Sequence, residues 1–136
     1  EKQPDGTEKE VYDKTIKNLI VDAGKVSILK IISNISGGGY ANSVGVGDST
    51  TAAASGQTDL QASSNKYWKD IATADRIILS TTLYLSVDFG YTEGNFTWNE
   101  LGLRDQNNVM YARQIDGTPF VKTSSKRAIV EWQLSL

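Results

Sequence analysis

The sequence contains no cysteine and no histidine, and these two absences exclude more chemistry than any other feature of its composition. Without cysteine there is no disulfide, no thiol nucleophile and no thiolate zinc site. Without histidine there is no Ser-His-Asp relay and no His-rich zinc site. Hydrolysis by a pair of carboxylates is the enzymatic route that these absences leave open.

Excess positive charge and long hydrophobic runs are also missing. The 136 residues carry 14 Lys and Arg against 16 Asp and Glu, which argues against nucleic-acid binding because that requires a dense positive surface. No apolar run approaches the ~18–20 residues of a membrane span, so no membrane contact is expected. The chain opens on Glu1, and no signal peptide is expected before the globular part. Its length and its 39% hydrophobic residues predict one domain with a core of its own.

The N-terminal third of the chain divides into a polar arm and a short helix. Residues 1–10, EKQPDGTEKE, include six charged residues and predict an arm, frayed or used for attachment, outside a domain formed by residues 11–136. Val11–Val21 begins as a possible strand. Asp22 is the predicted N-cap of a helix that the glycines at 37–39 end. Apolar residues recur along that helix at three-residue intervals, at Ala23, Val26, Leu29 and Ile32, although Ile28 and Ile31 also fit a strand.

Residues 33–65 are dominated by Gly, Ala, Ser, Thr and Asn. This composition predicts a long loop, and a loop of this length inside a domain is usually functional, mobile or held by a partner. Residues 43–47 predict a short buried strand within it, and Leu60 is a predicted anchor near its far end.

The rest of the chain predicts β-structure. Ile77–Phe89 alternates between apolar and polar residues, which indicates one long half-buried strand. Between Phe96 and Leu103 the apolar phase moves from even to odd positions, as it does at a β-bulge. Residues 109–115 and 130–136 predict two further strands, and turns are predicted at residues 92–95, 104–108 and 116–119. This pattern predicts a mainly β fold: an antiparallel β-sandwich, jelly-roll-like, with one short N-terminal helix.

The acidic residues do not predict a catalytic pair. Asp105 and Asp116 flank hairpins, while Asp88 and Glu100 lie on outward phases of their strands, so all four are predicted to be solvated. In the loop, Asp48 and Asp59 lack the alternating acidic pattern of a calcium site.

Two further motifs have structural interpretations. The sequence from Gly45 to Thr50 resembles a phosphate-binding loop but lacks the lysine, so its glycines are predicted to let a strand end and turn. Trp98 and Trp132 lie on apolar phases and are predicted in the core, whereas Tyr67 and Trp68 are candidates for a sugar-stacking platform. No catalytic residue, cofactor site or metal ligand is predicted.

An ordered series of short elements spans residues 15–136. It comprises Asn18-Leu19-Ile20, Gly24, Tyr40–Gly47, Thr50–Ala54, Thr58–Leu60, Glu100–Leu103, Met110–Arg113, and Lys122–Ser125 before Trp132. This order resembles a family of small structural proteins of tailed bacteriophages, whose members are tail-fibre-associated or other virion proteins.

The resemblance implies a virion protein, assembled in the host cytoplasm, that acts without an active site by binding other virion proteins as a homo-oligomer or lattice. Because the chain stops at Leu136 with no fibrous shaft or receptor-binding tip, we expect a small accessory piece of the tail, the neck or the capsid surface. The arm at 1–10 and the loop at 33–65 are the expected contact elements. The alternatives are a host-surface carbohydrate-binding module using Tyr67 and Trp68, and an acid-pair hydrolase.

Overall fold

The computed structural model describes residues 13–16 and 20–135. The predicted N-terminal arm, Val11 and Leu136 lie outside the described residues. The described chain is mainly β with one short helix, as predicted. In chain order the elements are β1 (Asp13–Ile16), α1 (Asp22–Ile32), β2 (Ala41–Gly47), β3 (Lys66–Asp70), a 3-10 turn (Thr73–Asp75), β4 (Arg76–Leu79), β5 (Thr82–Phe89), β6 (Thr97–Asp105), β7 (Met110–Val121) and β8 (Ala128–Ser135).

The strands form two four-stranded sheets. The first sheet has the order β1-β8-β5-β4 and the second has the order β3-β2-β6-β7. All neighbouring strands are antiparallel except β1 and β8, which run parallel, a pairing that the antiparallel prediction did not include.

One apolar core holds the two sheets together in a sandwich-like arrangement. Trp98 of β6 packs edge-to-face on Phe89 of β5, with 5.0 Å between ring centroids, and on Phe120 of β7 at 5.3 Å. Such aromatic pairs stabilise a core by more than their buried area alone. Trp98 and Trp132 are both fully buried, which confirms their predicted place in the core.

The prediction of one strand over Ile77–Phe89 is wrong, because a two-residue turn at Ser80 and Thr81 divides it into β4 and β5. Ser80 has a φ of +54°, the left-handed conformation that tight hairpin turns require. Across the turn Leu79 pairs with Thr82, so the inward positions are even in β4 and odd in β5. Ile77 and Leu79 are therefore exposed on the outer face of the first sheet, and Ile78, on the inward side, is exposed as well because β4 is an edge strand.

Two sequence predictions fall on one register shift between β6 and β7. The phase change in β6 is a register shift between Trp98 and Glu100, which confirms the predicted bulge. The turn predicted at residues 116–119 does not reverse the chain, because β7 continues through it to Val121. These residues instead bulge out of the ladder at the same register shift, where β7 advances from Ile115 to Phe120 while β6 advances only from Trp98 to Glu100. Within this bulge the buried Asp116 carboxylate accepts a hydrogen bond from the Thr118 N–H at 2.9 Å.

Helix α1 is shifted by one residue from its prediction, since Val21 is the N-cap and Asp22 is the first helical residue. The helix ends at Ile32, ahead of the glycines predicted to end it. Its buried positions are the small residues Gly24 and Ser27. A Cβ atom on Gly24 would lie 2.5 Å from the Tyr111 carbonyl oxygen, so the helix backbone rests directly on β7.

Residues 33–65 do not form one open loop. They contain β2, whose residues 43–47 are all buried, as predicted. Residues 48–65, here called the covering segment, lie over the outer face of the second sheet. Leu60 is buried in this segment against the backbone of Gly102, which confirms it as the predicted anchor. The segment therefore forms a partial third layer rather than a free loop.

Candidate functional site

A buried ion pair lies beneath the covering segment. The Arg113 Nε donates to Glu100 Oε2 at 2.6 Å, and both side chains are fully buried. Glu100 also accepts the backbone N–H groups of Gln61 at 2.9 Å and Ala62 at 2.8 Å, and Arg113 Nη1 donates to Gln57 at 3.0 Å. The prediction that Glu100 is solvated is wrong, because the covering segment shields the outward face of β6 from water.

Asp105 is also buried, where it joins the β6–β7 hairpin to α1. Its Oδ1 accepts the backbone N–H groups of Asn107 at 2.8 Å and Val109 at 2.9 Å, and its Oδ2 accepts the Ser27 hydroxyl at 3.1 Å. The solvated placement predicted for Asp105, and for Asp116 in its bulge, is therefore wrong. Buried acids of this kind are stabilised by the hydrogen bonds they accept.

Among the four candidate acids, only Asp88 is partly exposed, and its carboxylate is paired with Arg127. In Glu100 and Asp105, each carboxylate oxygen accepts at least one hydrogen bond from within the fold. Glu100 holds the covering segment in place, and Asp105 holds the hairpin and the helix.

The glycines of β2 have a role beyond the predicted one. Gly45 lies inside the strand, whereas Gly47 is its last residue, as the predicted strand end requires. A Cβ on Gly45 would lie 2.6 Å from the Trp68 ring, and one on Gly47 would collide with the Glu100 carboxylate. Gly102, on the neighbouring strand, makes the same close approach to Leu60 and Trp68, each 2.9 Å from its Cβ position. The glycines therefore clear space for the layer above the sheet.

Asp48 and Asp59 hold the ends of the covering segment. Asp59 pairs with Lys66 at 2.7 Å, and Asp48 accepts the Asn65 amide at 2.8 Å. In residues 13–16 and 20–135 there is no group of three or more acidic side chains that could hold a metal ion. Within those same ranges, no helix has the length and apolar character needed to cross a membrane.

Of the aromatic pair proposed for sugar stacking, Trp68 packs against protein groups, and Tyr67 is 37% exposed. The Trp68 ring lies against the backbones of Gly45 and Gly102, and the Arg104 guanidinium stacks on it, 4.4 Å from the ring centroid. Burial lowers the pKa of Arg104. Tyr67 contacts Phe89 edge-on. The indole is therefore engaged by protein groups, and the structure gives no observation that favours the carbohydrate-binding alternative.

The Lys122–Ser125 motif has a structural role in the turn region after β5. The Lys122 ammonium is buried and donates to the Gly90 carbonyl and to the Asn95 amide oxygen, each at 2.8 Å. Burial lowers the pKa of Lys122, and these hydrogen bonds replace the water that the charge has lost. The motif thus fastens the end of β7 to the turn that follows β5.

Beside Lys122, a glutamate makes the folded state sensitive to acid. Burial raises the pKa of Glu93, but hydrogen bonds from the Lys69 ammonium at 2.6 Å and from the Gly90 N–H at 2.7 Å outweigh it, so the net pKa is below the ordinary value of 4.5. A lowered pKa in the folded state means that ionised Glu93 stabilises the fold above the ordinary pKa. That stabilisation is lost as the pH falls through the lowered value.

We predict that Glu93→Gln will make the free energy of unfolding less dependent on pH in the acidic range. The free energy of unfolding of the wild-type protein should fall more steeply than that of the variant as the pH drops from 4.5 through the lowered pKa. Urea unfolding at a series of pH values measures this difference. Lys69→Met should have the same effect because it removes the main hydrogen-bond donor. Wild-type steepness in both variants would show that the pair does not carry this acid sensitivity.

An apolar surface is formed by α1 and the open end of the sandwich, and none of the contacts described above accounts for it. The outward side of α1 carries Val26, Leu29 and Ile32, which are 50%, 61% and 75% exposed; we call these three residues the ridge. They belong to the apolar stripe that predicted the helix. They face solvent because the helix docks through Gly24 and Ser27, its smallest side chains.

A groove of about 520 Å³ lies beside the ridge, between α1 and the end of the first sheet. Its lining is Ile20, Ile28, Tyr40, Ala41, Ile78, Ser80, Thr81, Thr82, Leu83, Tyr111, Leu134 and Ser135. None of these residues is a Lys, Arg, Asp or Glu. Ridge and groove together form what we call the apolar surface, and it is the candidate functional site.

The apolar surface could not be predicted from the sequence for two reasons. The stripe on α1 indicated a helix but not which side of it would dock, and the signal for docking was the small pair at Gly24 and Ser27. The groove depends on the turn at Ser80, which the continuous alternation of residues 77–89 concealed. Of the contact elements expected from sequence, residues 1–10 lie outside the described ranges, and residues 33–65 contribute Tyr40 and Ala41 to the groove.

Comparison of the chain with protein-family models, with curated proteins and with solved structures gives no match.

Proposed function

We propose that this chain is a non-enzymatic structural protein of a tailed-phage virion, an accessory component attached at the tail, the neck or the capsid surface. The observation that carries the proposal is the apolar surface. A small protein that leaves a helix ridge and an uncharged groove open to water gains free energy when another protein covers them, at ~25 cal/mol per Å² of apolar area.

The packing beneath the surface supports a role in assembly. The ridge is held on β7 by a backbone-to-backbone contact at Gly24, and Asp105 links the same helix to the β6–β7 hairpin through Ser27. An interface built on such a docked helix loses little conformational entropy on binding, because its side chains are already placed. The virion setting comes from the ordered series of short elements over residues 15–136.

Rebinding to deficient particles tests the proposal. Particles assembled from a genome in which this gene is interrupted are mixed with labelled, purified chain and separated on a density gradient. We expect the chain to sediment with the deficient particles up to a saturating amount, and particles from the intact genome to take up none because their positions are filled. Equal uptake by both kinds of particle, or no uptake by either, would contradict the proposal.

The polar arm provides a second prediction in the same assay. A chain lacking residues 1–10 should keep the wild-type unfolding midpoint and bind the deficient particles more weakly, because six charged residues are removed from an expected contact element. A chain in which residues 1–10 are replaced by a glycine-serine segment of equal length controls for length. Binding at wild-type strength after the deletion would exclude the arm as a contact.

A further inference from the structure

We propose that the apolar surface is the interface of a homodimer, in which the ridge of each copy fills the groove of the other about a two-fold axis. This inference rests on the proposed function and names the first partner of the surface, a second copy of this chain. Four observations on the surface lead to it: continuity, volume, charge and area.

The ridge and the groove are adjacent parts of one surface. Ile28 lines the groove, and Ile32 lies one helical turn further along the same side of α1. A convex element and a concave element therefore lie side by side on one face. A two-fold axis between them presents each ridge to the opposite groove, as a self-complementary dimer interface requires.

The groove has the volume to accept the ridge. An apolar cavity of about 150 Å³ holds one benzene-sized group. The groove measures about 520 Å³, so it holds roughly three groups of that size. The ridge offers three large apolar side chains, Val26, Leu29 and Ile32, each at least half exposed.

The groove lining carries no charge that opposes contact with its own copy. A surface that meets itself brings like charges together, so residual charge of one sign opposes the contact. The groove lining contains no Lys, Arg, Asp or Glu. At the first turn of α1, Asp22 and Lys25 pair with each other at 3.6 Å, which leaves no net charge from these two side chains beside the ridge.

The exposed apolar area is a large part of what a dimer needs. A standard interface buries ~800 Å² per partner, of which somewhat more than half is apolar. Five large side chains of the surface are each at least half exposed: Val26, Leu29, Ile32, Tyr40 and Ile78. At roughly 60 Å² each they supply about 300 Å², about two thirds of that apolar share.

Sedimentation equilibrium of the purified full chain tests the dimer. We expect a species of twice the 14.8 kDa chain mass at micromolar concentration. Ile32→Glu on the ridge and Ile78→Lys in the groove should each raise the dissociation constant at least ~100-fold, because each places an unpaired charge in an apolar contact. These positions are 75% and 73% exposed, so both variants should fold. Val121→Glu is the matched control, since it places the same charge at the far end of β7 from Tyr111 and should leave the dimer intact.

Mixing the two monomeric variants tests the reciprocal geometry. In a mixed dimer, the carboxylate that Ile32→Glu introduces on one chain meets the ammonium that Ile78→Lys introduces on the other, while the second contact remains wild type. We therefore expect the two variants, each monomeric alone, to form a dimer when combined in equal amounts. Failure of the mixture to associate would overturn the ridge-in-groove arrangement.

Other results would also overturn the inference. A wild-type chain that stays monomeric up to about 100 µM, well above typical dimer affinities, has no dimer interface here. If the monomeric wild-type chain binds a fluorescent apolar dye and the Ile78→Lys variant does not, the groove binds a small apolar ligand rather than a second copy. A dimer that neither variant weakens lies elsewhere on the molecule. If the chain is monomeric but still rebinds to deficient particles, the homodimer is contradicted and the proposed function stands. If the chain dimerises but never rebinds, the proposed function is contradicted and the homodimer stands.

Discussion

Replacing Arg113 with methionine should lower the free energy of unfolding by about 3–5 kcal/mol, the cost of leaving one member of a buried ion pair without its partner. Glu100 would remain fully buried with no positive charge beside it. The covering segment would also lose its hydrogen bond from Arg113 to Gln57. Urea unfolding followed by tryptophan fluorescence measures the change, and the dependence on urea concentration should keep its slope.

Arg127→Met is the matched control, because Arg127 also pairs with a carboxylate, but at the surface. Its side chain is 37% exposed, and solvent-exposed pairs of this kind contribute far less to stability than buried ones. Adding Glu100→Gln to Arg113→Met should recover part of the lost stability, since the neutral amide oxygen still accepts one backbone N–H of the covering segment. Equal costs for Arg113→Met and Arg127→Met would contradict the structural role of the buried pair.

Gly24→Ala should destabilise the protein by about 2–3 kcal/mol, although alanine normally favours a helix over glycine by ~1 kcal/mol. The added methyl group would lie 2.5 Å from the Tyr111 carbonyl oxygen and 2.6 Å from its Cα. These are backbone atoms within β7, so no flexible side chain can move aside. The expected result is a weakened contact between α1 and β7, measured by thermal or urea unfolding.

Gly56→Ala is the control for this substitution. Gly56 lies in the covering segment, where an added Cβ would have no atom within 4 Å. There we expect no loss of stability and a small gain from reduced freedom of the unfolded chain. If Gly24→Ala were as well tolerated as Gly56→Ala, the direct contact between the α1 and β7 backbones would be wrong, and with it the support beneath the ridge.

The sequence predicted the elements whose signal is local. The β6 bulge follows from a one-residue change of apolar phase, and the closing strand β8 follows from the alternation that buries Val130 and Trp132. The fold class could be predicted because the alternation of apolar and polar residues that marks a strand lies within the strand itself. The turn at Ser80 could not be predicted because it contains no glycine or proline. Apolar residues also stand at odd-numbered positions both before and after it, so the two strands have the pattern of one.

The placement of polar groups could not be predicted, because it depends on contacts distant in sequence. Glu100 has the position of an exposed acid on β6, and only the covering segment, about 40 residues earlier in the chain, buries it. The same holds for Ser27 and Asp105, which are 78 residues apart. The ridge was visible as a stripe, but its exposure follows from a helix that docks through its smallest residues, contrary to the usual rule.

The number of chains in each particle tests the central claim most directly. Quantitative mass spectrometry of purified particles should give a constant copy number that survives washing with high salt. The homodimer requires this number to be even. A high copy number would place the chain on a capsid lattice, and a low one at the neck or the tail. A trace amount that varies between preparations and washes away would contradict the account of this chain as a structural component of the particle.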